Sequence, residues 1–506
     1  MSLAVVYSRA LCGLAAHPVR VEVHVGSGLP AVHVVGLPDA SIKESRERIR
    51  SAILNSGYQF PPGRVTVNLA PADLPKDSGR FDLPIALGIL LASGQVANAV
   101  ASDSVVDMRH YVLAGELSLT GALVSSGSPL AIALAVARKQ PPHTLILPRA
   151  CSTIAAQVPG LQVLGAGCLA DVVGHFSGVN VLASAVGDCR FDDEAASPCL
   201  SDVRGQAVAR RVLEIAAAGG HSLLMSGPPG AGKSMLAQRL PGLLPALDIH
   251  QALEAAAVAG IAPAGRTRVS LAPPFRAPHH SASMPALVGG GARPKPGEIS
   301  LAHHGVLFLD EVPEFDRKAL ESLREPMETG VIHIARAARS MAFPARFQLV
   351  AAMNPCPCGW AGSERRACSC TPERVEKYRS RLSGPLLDRI DLQIALPSAD
   401  INWENGNAEE TSATVRARVL AARRIQQDRQ KCVNAGLDMR GIDQYCKLDG
   451  GAIAMLRQGV ARWSWSARVQ SRILRVARTV ADIQCAESVG VDHIAEAMQY
   501  RQPWGA

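Results

Sequence analysis

No uniformly apolar run of membrane-spanning length occurs in the 506 residues. Three uncharged stretches, 83–102, 117–137 and 150–170, are long enough for a spanning helix, but Pro, Gly, Ser, Gln or Asn interrupts each of them. They read as buried strand–turn–helix units. Residues 1–16 have no basic residue ahead of their apolar run, and Arg9 divides it, so no signal peptide is expected. The expectation is a soluble, cytoplasmic protein with no membrane partner. Cysteine is sparse, 12 residues and mostly scattered, which argues against a disulfide framework. Fixed-period repeats and low-complexity tracts are also missing.

What is present suits large cores. The chain is 48% hydrophobic and 19% charged, far from a disordered composition, and its length predicts about three domains. The net charge of +8 is concentrated at one end: 414–506 carries 15 basic and 8 acidic residues, 1–185 carries 13 and 11. A basic end suits a polyanion, or a solvated helical face.

Residues 1–178 read as one mixed α/β domain. The alternation of Val21, Val23 and Val25 with Val32 and Val34 around Gly26-Ser27-Gly28-Leu29-Pro30 predicts a β-hairpin over 19–35. Helices are expected over 39–56, 83–92 and 130–137, and strands over 64–69, 111–119 and 144–147. An irregular linker spans 179–201. An amphipathic helix over 202–218 is expected to set Val208, Val212, Leu213 and Ile215 against Arg204, Arg210 and Arg211. Strands alternate with helices over 202–398, the pattern of a parallel sheet, and 399–506 is helical.

The strongest motif is Gly227-Pro228-Pro229-Gly230-Ala231-Gly232-Lys233-Ser234, preceded by an apolar strand and followed by a helix. This is the context in which G-x-x-x-x-G-K-[ST] holds a nucleoside triphosphate. Its backbone N–H groups and the helix N-terminus favour phosphate oxygens. Lys233 is expected at the β- and γ-phosphates and Ser234 on Mg2+. The apolar run Val306-Leu307-Phe308-Leu309 ends in Asp310-Glu311. Asp310 is expected to share Mg2+ with Ser234, and Glu311 to orient or deprotonate water. A third apolar run, 348–353, ends in Asn354, either a polarising amide or a turn residue.

Together with Ser383-Gly384-Pro385-Leu386-Leu387-Asp388-Arg389-Ile390-Asp391, these elements resemble an AAA+ ATPase, and within that class the magnesium-chelatase-like YifB/ComM family. The resemblance implies ATP and Mg2+ as cofactors. It makes Arg389 the arginine finger of a neighbouring subunit and Arg468 the lid arginine called sensor 2, with Arg472 as the second choice. It also implies a ring, usually a homohexamer. The competing reading of Arg389 is a salt bridge to Asp388 or Asp391. The region between Ser234 and Asp310 resembles the helix-2 insertion, which faces the ring pore. A hairpin over 331–343 carries Arg336 and Arg339, either as phosphate-gripping arginines or as a solvated tip. His279-His280 shows no third metal ligand; local packing or phosphate-side contact is expected there.

Cys356-Pro357-Cys358 and Cys368-Ser369-Cys370 form two close pairs. Four such thiolates can surround one Zn2+, although one-residue spacing is tighter than usual for zinc; free or redox-active thiols are the alternative. In the N-terminal domain, Leu74-Pro75-Lys76-Asp77-Ser78-Gly79 and Gly115-Glu116 resemble landmarks of the Lon-protease-like (S5-type) fold. The nucleophile turn and the later lysine of that fold are unmatched, so a non-catalytic α+β domain is expected. In the C-terminal helices, Val469, Ile473, Val476, Ala477 and Val480 make one stripe and Arg468, Arg472 and Arg475 another. Arg416, Arg418, Arg423, Arg424 and Arg429 are expected to face solvent. Trp463 and Trp465 stack on bases or pack against helices.

The resemblance thus implies a Lon-like α+β domain, an AAA+ parallel-sheet domain and a helical lid. The function it implies is a ring-shaped DNA helicase or branch-migration motor, acting on recombination intermediates in natural transformation. DNA and further copies of the chain are the expected partners. The alternative is a chelatase-type assembly or metal-insertion motor with a protein client, which the N-terminal domain argues against.

Overall fold

The computed structural model describes residues 2–36, 40–74, 76, 79–96, 107–125, 127–139, 142–187, 197–262, 268–291, 294–336, 339–363, 366–397 and 409–501, without the side chains of 2, 40–43 and 335–340. The chain divides into two compact units, Met1–Phe191 with Ile249–Val269 and Ala335–Ala342, and Asp192–Asp248 with Ser270–Ile334 and Phe343–Ala506.

The first unit is built on a four-stranded sheet. Ser2–Cys12 and Ala15–Gly26 form a long antiparallel hairpin, with Gly13 in the left-handed region (φ 63) at its turn. The hairpin predicted over 19–35 does not form. Arg64–Ala70 lies between Ala15–Gly26 and Ala31–Val35, antiparallel to one and parallel to the other. Alternation reported the buried face correctly but carries no information on which strand is the neighbour. The helix Asp82–Ala92 is apolar almost all round and is buried along its length, as a helix in the centre of a core must be. The strand expected over 111–119 breaks into Tyr111–Leu113 and Glu116–Leu117, which join different sheets. The helix Ile249–Ile261 also belongs to this unit, with Arg138 Nη2 3.2 Å from Glu254 Oε1.

The second unit centres on five parallel strands in the order Phe275–Arg276, Val306–Leu309, Gln348–Met353, Leu223–Ser226, Leu392–Ala395. The three middle strands are almost wholly buried, which is why they read as continuous apolar runs. Between Phe275–Arg276 and Val306–Leu309 come the short helix Met284–Val288, the pair Gly289–Gly290 with Lys295–Pro296, and the helix Glu298–Leu301. Ala207–Gly219 buries Val212, Leu213 and Ile215, but Val208 is exposed, contrary to its expected place on that face.

Helices complete the unit from Ser412–Gln430 to Val491–Gln499. Ala467–Ile483 starts at Ser466, whose hydroxyl accepts from the Val469 N–H. It buries Val469, Ile473, Val476, Ala477 and Val480. Of the arginines of Ser412–Gln430, Arg424 is exposed as expected, but Arg418, Arg423 and Arg429 turn to partners within the unit. Arg418 pairs with Glu214 and Glu410, Arg423 donates to the Ala217 carbonyl, and Arg429 grips the buried Asp482. Long side chains can reach carbonyls and acids on adjacent helices, a fact that helical spacing cannot report. Trp463 and Trp465 stack on one another, with centroids 4.8 Å apart.

Candidate functional site

The loop from Gly227 to Ser234 joins the buried strand Leu223–Ser226 to the helix Lys233–Leu243. Gly230 and Gly232 both adopt φ 79, a conformation that side chains resist and that the curled loop requires. Lys233 Nζ donates to Gly227 O at 2.7 Å, to Pro228 O at 2.9 Å and to Asn354 Oδ1 at 3.0 Å. Burial pulls this lysine below its ordinary pKa, against the opposing pull of Asp310 and Glu311.

Strand order brings the other expected residues to the same end of the sheet. Ligands of open α/β sheets bind at the carboxyl ends of the strands. Here Leu223–Ser226, Gln348–Met353 and Val306–Leu309 are consecutive neighbours, and they end in the loop, Asn354 and Asp310. Ser234 Oγ donates to Asp310 Oδ2 at 2.6 Å, so a hydroxyl and a carboxylate suited to a hard cation already meet. Glu311 sits in the left-handed region (φ 50), a conformation that costs a non-glycine residue about 1–2 kcal/mol. Its amide donates to Asp310 Oδ1 at 2.9 Å, and its Oε2 lies 3.3 Å from His280 Nδ1. The rings of His279 and His280 lie together, centroids 4.1 Å apart. The sequence marked the His279-His280 pair for local packing or phosphate-side contact, but not Glu311 as the partner of His280. The adjacent histidines were the signal, but the partner lies 31 positions further on.

Arg389 and Arg468 lie elsewhere. Arg389 precedes Leu392–Ala395, and its carbonyl accepts from Ser222 Oγ at 3.1 Å. Ser222 stands just before the Leu223–Ser226 strand, whereas the phosphate loop begins just after it. That places Arg389 roughly 16 Å down the strand from Gly227 at a rise of about 3.3 Å per residue. A cavity of about 600 Å3 opens at this amino end, lined by Arg389, Arg468, Arg472, Arg475, Glu328 and Asp391 among others. Glu328 Oε1 accepts from Arg389 at 2.8 Å and lies 3.4 Å from Arg468. Arg389 therefore pairs with Glu328, not with Asp388 or Asp391. Asp391 is buried and pairs with Arg472. Among the described residues the buried Nε atoms of Arg389, Arg472 and Arg475 have no hydrogen-bond partner.

The four clustered cysteines are brought together. Cys356 Sγ lies 3.3 Å from Cys358 Sγ and 3.6 Å from Cys368 Sγ, and all four sulfurs lie within 4.8 Å of one another. Four sulfurs at that spacing fit a tetrahedral zinc site, whose edge is roughly 3.8 Å for Zn–S bonds of about 2.3 Å. The Trp360 and Ser369 amides hold the Cys358 thiol down to about 5. For Cys368, the Cys370 amide works in the same sense but loses to burial and the neighbouring thiols, which push it up to about 12. Without a cation the cluster resists a second negative charge.

In the N-terminal unit, Lys76 is buried and its ammonium donates to the carbonyls of Gly36 and Pro71, a bracing contact. Ser78 and the side chains of Arg336 and Arg339 lie outside the described residues.

Matches to family models and to known proteins accompany this geometry. Residues 199–403 match the family described as magnesium chelatase, subunit ChlI; 21–151 match subunit ChlI of Mg-chelatase, and 409–501 its C-terminal part. The chain is 46% identical over 508 residues to YifB of Salmonella typhimurium, covering 99% of this chain and 97% of that protein. It is 45% identical over 513 residues to competence protein ComM of Haemophilus influenzae, covering 99% and 98%. A 225-residue stretch, 40% of this chain, is 26% identical to a quarter of the maternal DNA replication licensing factor mcm6 of Xenopus tropicalis.

Proposed function

The chain belongs to the magnesium-chelatase-like YifB/ComM family of AAA+ proteins, and from that premise we propose that it is an ATP-hydrolysing motor that works as a ring on DNA. The hydrolytic half rests on one phosphate loop with Lys233, Ser234, Asp310, Glu311 and Asn354 around it. Lys233 and the loop amides would bind the β- and γ-phosphates. Ser234 and Asp310 would hold Mg2+, whose charge offsets that on the phosphate oxygens. Glu311 would orient and accept a proton from the attacking water, and Asn354 would fix Lys233 and polarise the γ-phosphate.

The ring rests on a single observation: Arg389 and Arg468 stand at the amino end of the sheet, away from the phosphate loop of their own chain. An arginine that offsets charge in phosphoryl transfer must reach the phosphate. Arg389 and Arg468 would therefore serve the nucleotide of an adjoining copy, and a closed ring of six would give every site such a neighbour. Zinc in the four-thiol cluster would be structural, since four sulfur ligands leave no open position.

DNA as the substrate is supported by the likeness to ComM and to the licensing factor. The reading is that the ring remodels branched DNA without reading its sequence, in the manner of a helicase or branch-migration factor. The Lon-like N-terminal unit would be a non-catalytic, substrate-side module.

Mixing tests the ring. Lys233→Ala and Arg389→Ala chains are each expected to be inactive alone and to regain ATP turnover when mixed, because the mixture contains interfaces with both an intact loop and an intact finger. No recovery on mixing would overturn the shared site. Strand displacement on forked and four-way DNA, with Glu311→Gln as the inactive control, tests the substrate. Turnover that ignores DNA at low salt but rises with a protein client would favour a chelatase-type assembly motor instead.

A further inference from the structure

The four thiols stand beside the phosphate loop, and the contact is specific. Cys356 begins two residues after Asn354, whose Oδ1 accepts from Lys233. The turn that follows is closed by the Gly359 amide donating to Cys356 O at 2.9 Å. Gly359 adopts φ 83, and a Cβ there would lie 2.6 Å from Pro229 Cδ and 2.8 Å from Pro229 Cγ. The cysteine turn is therefore pressed onto the phosphate loop at a position where only glycine fits.

Nothing else regular stiffens this segment. Between Met353 and Pro372 no helix or strand occurs among the described residues, and a loop of that length without structure of its own usually serves a function. The sulfurs supply a means of stiffening it. Cys356, Cys358 and Cys368 lie 3.3 to 3.6 Å apart, sulfur to sulfur, far from the roughly 2.05 Å of a disulfide, and Cys370 completes a group within 4.8 Å. The Ala361 amide donates to Cys356 Sγ at 3.3 Å and the Cys370 amide to Cys368 Sγ at 3.4 Å. Such N–H···S bonds favour sulfur in its anionic, metal-binding form. Soft thiolates select Zn2+ over the hard Mg2+ of the nucleotide site.

We propose that Cys356, Cys358, Cys368 and Cys370 bind one zinc ion, and that this ion holds Gly359 against Pro229 so that its occupancy sets the chain's affinity for nucleoside triphosphate. On binding, the thiols still protonated give up their protons to solvent and four Zn–S bonds form, with no change of oxidation state. The zinc fixes the outer wall of the phosphate loop, while Asn354, on the same stretch of chain, fixes Lys233 from within. The inference rests on the reading of residues 227–234 as the nucleotide site.

Metal analysis of the purified full chain tests the ion, and titration with a fluorescent ATP analogue tests the brace. One zinc per chain is expected. Replacing it with Co2+ should give the intense visible absorption and sulfur-to-metal charge-transfer bands of a tetrahedral thiolate site. Stripping the zinc from the wild-type chain with a chelator should weaken analogue binding about tenfold, and returning Zn2+ should restore it. Gly359→Ala should keep its zinc and still bind the analogue more weakly. Lys233→Ala should keep its zinc and lose the analogue.

Absence of zinc together with absence of the Co2+ bands would overturn the site. Zinc removal and Gly359→Ala that both leave affinity unchanged would overturn the brace. A zinc-loaded wild-type chain that binds no nucleotide would instead overturn the nucleotide reading and the brace with it, leaving the metal site standing.

Discussion

His280 Nδ1 lies 3.3 Å from Glu311 Oε2, linking the acid at the tip of Val306–Leu309 to the segment after Phe275–Arg276. A carboxylate engaged by an imidazole is held away from free rotation and is a weaker acceptor for a water proton. His280→Ala is therefore expected to raise basal ATP turnover a few-fold with little change in KM, measured as steady-state phosphate release. A fall in turnover would mean that the ring positions Glu311 productively.

Glu311→Gln keeps the shape of the side chain and removes its basicity. Turnover should fall about 100-fold or more, while equilibrium binding of ATP stays within about threefold. Loss of binding in parallel with turnover would assign Glu311 to holding nucleotide rather than water.

Arg389→Ala should lower turnover about 1,000-fold, the scale of an arginine finger, without unfolding the chain. Arg468 is half exposed and shares Glu328 with Arg389, so Arg468→Ala should cost less than Arg389→Ala. If the two losses are equal, the two arginines act as one unit and the double variant should add little.

Asp391 is expected to contribute to stability against acid. Burial alone would raise the pKa of its carboxyl, but His221, Arg472 and the Ser222 amide hold it well below the usual carboxylate range. For a depressed acid the stabilisation is present above the unfolded pKa and is lost as pH falls through the folded value. Asp391→Asn should therefore destabilise the chain by about 3 kcal/mol near pH 7, because Arg472 loses a buried partner. The gap to wild type should narrow below about pH 4, where the unfolded wild-type carboxyl begins to take up a proton. Thermal melts at pH 7, 5 and 3.5 would measure it.

The phosphate-loop half of the site was legible because each of its parts is local. A glycine-rich turn, an acid at a strand end and an amide at the next strand end all have short signatures, and the strand order then gathers Lys233, Ser234, Asp310 and Asn354. The four cysteines were legible as a cluster for the same reason. For His280 the pair was legible but its partner Glu311 was not, since the fold brings that residue in. Three arginines of Ser412–Gln430 misled because helical spacing reports a face but not what lies against it: Arg418, Arg423 and Arg429 have acids or carbonyls there.

The sequence by itself determined the chemistry of the loop, since backbone conformation at Gly230 and Gly232 and the side chains of Lys233 and Ser234 act within one turn of chain. Only the tertiary structure decided which end of the sheet each charge occupies. Parallel pairing of Leu223–Ser226 with Leu392–Ala395 sets Arg389 beside Ser222 and not beside Gly227. Strand direction and neighbour order are long-range properties that no local pattern encodes, and here they separate the arginines from the Gly227–Ser234 loop of their own chain.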